Sequence, residues 1–180
     1  YCPAAHALFV GYASSEVRIV DLGTGLTPMP FATLTGTPYG IAVAGNYLVA
    51  VDSEGAWETH YTCDRDGTLI DAVDWNHPSP EYAWSETYSR LYFFREGTSP
   101  NDRHWEEIDQ ATGLIVDDGE SPYHGDYAIV PPIRVSENGE YVVLGSGHIY
   151  DGGTLERPDA VPVTPADAAW ADGALLTLQG

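Results

Sequence analysis

At 180 residues the chain is long enough to bury a hydrophobic core, and length alone predicts one domain or part of a larger one. Its 27 acidic residues stand against 7 basic ones, all arginine, for a formal net charge of -20 at pH 7. That balance excludes nucleic-acid binding, which needs clustered Lys and Arg to displace counterions, and it disfavours anionic lipid surfaces.

Read in chain order, the strongly β-prone runs come first as LFVGYA from Leu8, then the turn string VDLGTGL at 20 to 26. IAVAGN at 41 leads into YLVAVD from Tyr47, and CDRDGTL follows at 63 to 69. The same order returns with YAWSET at 82, LYFFRE from Leu91 and IDQATGL at 108 to 114. It returns again with IRVSEN at 133, YVVLGS from Tyr141 and YDGGTLE at 150 to 156, and the chain ends on AAWADG at 168 and ALLTLQ at 174 to 179. Each apolar run is about six residues, rich in Val, Tyr and Phe, which is strand length and strand composition. WEEIDQATG at 105 to 113 has helix-like polarity but falls where the repeat requires a strand and a turn.

The aspartates of the turn strings, Asp21, Asp64, Asp109 and Asp151, are spaced by 43, 45 and 42 residues. Each reads as a tight turn in which Asp bonds the backbone two residues on and a Gly, or the Gly152–Gly153 pair, supplies positive φ. A short strand, a polar turn, an apolar strand, a variable loop, a third strand, the Asp/Gly turn and a last strand make a four-stranded antiparallel meander of just over 40 residues. Four strands at that period is the signature of a β-propeller blade. On this pattern the chain resembles bacterial β-propeller repeat proteins of the YVTN and WD40-like kind, though it lacks the Gly-His and Trp-Asp dipeptides of WD40 blades. The expected fold is all-β, with blades at 7–36, 37–78, 79–125, 126–164 and 165–180, forming one propeller region over 1–180. The surplus ALLTLQ strand argues against closure as a four-bladed ring and for part of a larger six- to eight-bladed one. The chain does not open on Met and reads as a processed chain or a piece of a longer protein. Its longest nearly apolar stretch, Tyr39 to Val51, is too short to cross a bilayer.

Catalytic motifs are missing. GSGH at 145 lacks nucleophile-elbow spacing, GTGLTP lacks the Gly-Lys of a phosphate loop, and no HExxH occurs. TCDRDGTLID resembles a calcium loop but puts Thr62 in place of the first Asp and Ile70 where an oxygen ligand belongs. His60, His104 and His148 recur every 44 residues, yet successive blades hold their third strands too far apart to share an ion. Neither a metal nor a cofactor is expected from these signals, and no catalytic residue is assigned. Cys2 and Cys63 read equally as one disulfide or as two buried thiols.

Function on a rigid scaffold concentrates in loops of unequal length, so the connections between second and third strands and between blades are the place for a site. They put Asp52, Trp57, Trp75, His77, Arg95, Arg103, Tyr123 and His124 on one face, a mixture of aromatic and charged groups suited to a ligand. The alternative for Trp57, Trp75 and Tyr123 is packing between blades. The expectation is a non-catalytic, extracytoplasmic bacterial binding module for a protein, peptide or glycan, without nucleic acid or membrane insertion. The propeller resemblance leaves two rivals: an enzyme of the lactonase, lyase or quinoprotein kind, and a structural repeat of a larger surface protein.

Overall fold

A computed structural model describes residues 2, 5–53, 58–75, 79, 81–95 and 101–179, with the side chains of Trp75 and Arg95 outside that description. Among the described residues every regular element is a strand, and no helix is long and apolar enough to cross a membrane. The chain falls into two compact units, Tyr1–Pro78 with Ile108–Ile115, and Ser79–Glu107 with Val116–Gly180.

The first unit holds two sheets. One is three-stranded, β1 (Ala7–Gly11), β2 (Glu16–Asp21) and β3 (Met29–Thr33), and the other is a four-stranded meander of β4 (Pro38–Ala44), β5 (Tyr47–Asp52), β6 (Glu58–Cys63) and β7 (Leu69–Trp75). All neighbours are antiparallel. Val17, Leu34, Leu48, Ala50, Tyr61 and Cys63 make the core between the two sheets. The second unit carries β8 (Tyr82–Ser85), β9 (Arg90–Arg95), β10 (Asp102–Ile108) and β11 (Ile115–Glu120), whose Ile108–Ile115 turn clusters with the first unit. It continues with β12 (Ile133–Val135), β13 (Tyr141–Leu144), β14 (His148–Asp151) and β15 (Asp159–Ala160), and ends on the hairpin β16 (Asp167–Ala171) and β17 (Ala174–Leu178). Tyr92, Phe94, Ile133, Val142, Leu144, Tyr150 and Leu155 form its core.

The second strand of each blade is a continuous apolar run because both of its faces are covered. Leu48 to Asp52 in β5, Leu91 to Phe94 in β9 and Val142 to Leu144 in β13 are buried at every position, whereas β2, the middle strand of its sheet, fully buries only Val17 and Val20. Turn chemistry follows the aspartates. Asp21 accepts from Gly23 N, Thr24 N and the Thr24 hydroxyl; Asp64 from Asp66 N and Thr68 N; Asp109 from Ala111 N and the Thr112 hydroxyl; Asp151 from Gly153 N and Thr154 N. Gly25, Gly67 and Gly113 take positive φ as expected, but in the fourth turn the residue with positive φ is Leu155, at 58°, and not Gly152 or Gly153. Leu155 is fully buried in the second core, so packing of its side chain offsets the strain of its backbone.

Both cysteines are buried free thiols, and burial pushes the Cys63 thiol up to about 11.

Candidate functional site

In the second unit Asp102, the first residue of β10, organises the 121–132 connection that leaves β11. Its Oδ1 accepts from the Ser121 hydroxyl and from Arg103 N at 2.7 Å, while Oδ2 accepts from His124 N at 3.1 Å. The carboxylate is 1% exposed, so these bonds replace the water that burial removed. They also hold His124 in the left-handed region, at φ 44°, with its imidazole 64% exposed. His124 Nδ1 lies 3.5 Å from Glu120 Oε1 and 3.6 Å from Asp102 Oδ2, and His104 Nε2 lies 3.8 Å from Glu120 Oε2. A second attachment comes from Tyr123, whose hydroxyl accepts from Arg157 N at 2.8 Å and whose ring packs against the core. Tyr127 stands edge-on to Tyr123 at 4.9 Å, and the Arg157 guanidinium covers its face at 4.3 Å.

Arg103 points to the other face of β10, because residues alternate along a strand. It is 0% exposed, a correction to its expected place on an open face. Its guanidinium lies 4.3 Å from the centre of the Tyr150 ring and 5.4 Å from that of Tyr92, and none of its three nitrogens has a hydrogen-bond partner among the described residues. Burial pulls its pKa down to about 10. Tyr123 packs against the second core, the packing alternative weighed for it, and its hydroxyl also anchors the connection.

In the first unit Asp52 is also buried, and it accepts from Gly36 N at 3.1 Å, Thr59 N at 3.1 Å and the Tyr61 hydroxyl at 2.8 Å. Its oxygens fasten loops to the sheet and do not open onto a ligand. Glu58 is buried nearby, and desolvation, with the Asp52 charge adding to it and His60 opposing it, pushes its carboxyl up to about 7. Trp57 and His77 lie outside the described residues, as do the side chains of Trp75 and Arg95. The structure therefore brings together Arg103, Tyr123 and His124 around β10 and sets Asp52 in a separate unit.

The histidines spaced by 44 residues do not occupy equivalent positions. His60 precedes its turn aspartate by four residues, His104 by five and His148 by three, and they belong to β6, β10 and β14. Sequence reading missed Glu120, Tyr127 and Arg157. The signal for Glu120 lay in hairpin arithmetic: folding β10 and β11 about the Asp109 turn carries 119–121 alongside 102–104, as the bond from Ser121 N to Arg103 O shows.

A cavity of about 170 Å³ opens in the first unit beside the Asp64 turn, lined by Phe9, Ile19, Phe31, Val43, Leu48 and Arg65 among others. This is the face that sequence reading left without a site. Arg65 donates one hydrogen bond to Asn46 Oδ1 at 2.6 Å, and most of the lining is apolar.

No protein-family model and no curated protein matches the sequence. Solved structures do match in fold. NirN, a dihydro-heme d1 dehydrogenase in complex with DHE, superposes with a TM-score of 0.67 at 11% identity over 97% of this chain and 40% of its own. The β-propeller domain of Myceliophteria thermophila Cps50 (Swd1) gives 0.68 at 14% over 94% and 56%, and a proposed 6-phosphogluconolactonase from Bacteroides uniformis gives 0.59 at 12% over 99% and 53%. Identities this low show the fold alone: the sheets are blades of a β-propeller, and the chain spans about half the length of these structures or less.

Proposed function

We propose that the chain is part of a larger six- to eight-bladed propeller acting as a non-catalytic, extracytoplasmic binding module, with the 121–132 connection as its contact surface for a peptide, protein or glycan. One observation carries the reading: a long connection is held at several points by the blade beneath it. Asp102 fastens Ser121 and His124, Tyr123 fastens Arg157, and Gly145 N donates to Val130 O and Pro132 O. A surface ordered before contact loses little entropy on binding, and His124, Tyr127 and Arg157 give it hydrogen-bonding, aromatic and cationic character. The net charge of -20 supports a place outside the cytoplasm.

The test is to probe peptide and glycan arrays with the labelled chain and with the double variant His124→Ala, Tyr127→Ala. Loss of an aromatic anchor weakens binding by about 1 to 3 kcal/mol, so signals should fall at least about fivefold while circular dichroism is unchanged. Equal signals from both proteins would reject this surface.

A second reading, an enzyme of the lactonase, lyase or quinoprotein kind, draws on Glu58, a buried carboxyl raised to about 7 beside Asp52 and His60. Turnover in a lactone panel that falls on Glu58→Gln would favour it. A purely structural repeat is the outcome if neither binding nor turnover is found.

A further inference from the structure

We propose that Asp102, Glu120 and His124 form a site for one divalent cation of the zinc class. The site lies within a single blade and does not depend on which partner the face binds. The expectation of no metal rested on His60, His104 and His148, and this site draws on a different set.

His124 Nδ1 lies 3.6 Å from Asp102 Oδ2 and 3.5 Å from Glu120 Oε1, and one donor atom from each of the three residues lies within 4.8 Å of the others. Two of the separations, 3.5 and 3.6 Å, are too long for a hydrogen bond from the imidazole to either carboxylate. They match an ion held between the groups: donors each about 2.0 to 2.2 Å from a tetrahedral ion stand roughly 3.4 Å apart. Asp102 and Glu120 bring two carboxylates to the imidazole, and a divalent cation there would balance them. The Arg103 guanidinium feels the Asp102 charge but is stacked on Tyr150 and Tyr92 and makes no hydrogen bond to that carboxylate.

The support around the donors is of the kind that metal sites use. Asp102 is buried, Ser121 and Arg103 N fix its Oδ1, and its Oδ2, which accepts from His124 N at 3.1 Å, lies 3.6 Å from the imidazole Nδ1. His104 borders the cluster with Nε2 3.8 Å from the second Glu120 oxygen. Two carboxylates with an imidazole suit a borderline ion such as Zn²⁺, whereas Ca²⁺ prefers oxygen throughout. Three protein donors leave a position open toward solvent, where water or an oxygen of a bound partner completes the shell.

The rival account is a protonated His124 pairing with the two carboxylates. Isothermal titration of the EDTA-treated, dialysed chain with ZnCl₂ at pH 7.5 separates the two, with CaCl₂ as the oxygen-preferring control. The expected result is one equivalent of zinc, binding at least tenfold tighter than calcium. Glu120→Gln and His124→Ala change exposed or half-exposed side chains and should each weaken zinc at least tenfold with circular dichroism unchanged, while His6→Ala, an exposed histidine of the other unit, leaves it as it was. Zinc binding that survives both Glu120→Gln and His124→Ala would overturn the site. So would absence of zinc binding at pH 7.5, which would leave the protonated pair as the account of the cluster.

Discussion

Replacing Glu58 with Gln should make the protein more stable at pH 8 and leave it nearly unchanged at pH 4. Glu58 is 3% exposed, and its Oε2 has no hydrogen-bond partner among the described residues. Burial, reinforced by Asp52, lifts its pKa from 4.5 to about 7, with His60 pulling the other way. Because the folded value is the higher one, the folded state holds the proton more tightly, and stability is lost as pH rises from the unfolded value through the folded one. The window is therefore pH 4.5 to 7, with the full cost present above it. A shift of that size corresponds to about 3 kcal/mol, and relaxation around the charge should leave roughly 1 to 3 kcal/mol to be recovered. Gln matches the neutral carboxyl in shape, so the difference between variant and parent isolates this group from every other titration. Urea denaturation at half-unit steps from pH 4 to 8 measures it. A difference that stays flat across that range, or in which the variant loses stability above pH 7, would refute the placement of Glu58 as a desolvated acid.

Arg103→Met should change stability by less than about 1.5 kcal/mol in either direction. Desolvation of the guanidinium costs about 3 kcal/mol by its lowered pKa and is largely offset by stacking on two tyrosine rings. A loss above 3 kcal/mol on denaturation would mean that the guanidinium is a bonded anchor. Gly67→Ala should cost more than Gly173→Ala although their φ values, 82° and 76°, are alike. A Cβ at Gly67 meets the Phe31 carbonyl, whereas at Gly173 it meets open space, so melting should separate about 2 kcal/mol or more from about 1.

The blade pattern was legible because strands and tight turns are written locally. Inner strands expected near 40–44, 81–85, 132–136 and 167–171 are found at Pro38–Ala44, Tyr82–Ser85, Ile133–Val135 and Asp167–Ala171. Alternating hydrophobicity and Asp-centred turns act within a few residues. Burial of Arg103 was not legible, since it depends on Tyr92 and Tyr150, which reach it from β9 and β14. The same holds for Leu155. The Gly152–Gly153 pair looked like the source of positive φ until core packing drew the next apolar side chain inward. The candidate site was half legible. Tyr123 and His124 stood out as loop residues, but the burial of Asp102, which fastens Ser121 and His124, depends on how β10 and β11 fold together. Histidine spacing misled for a related reason: a constant interval in sequence is not a constant position in a blade when turns differ by a residue.

The central claim is that the 121–132 connection is the contact surface. Its most direct measurement is the array comparison run with two variants side by side, His124→Ala with Tyr127→Ala on that connection and Arg65→Ala beside the Asp64 turn. Bound peptides or glycans should lose at least about fivefold in signal with the first and keep it with the second. Signals that persist in the first variant and vanish with Arg65→Ala would move the site to the first unit, beside the Asp64 turn, and contradict this placement.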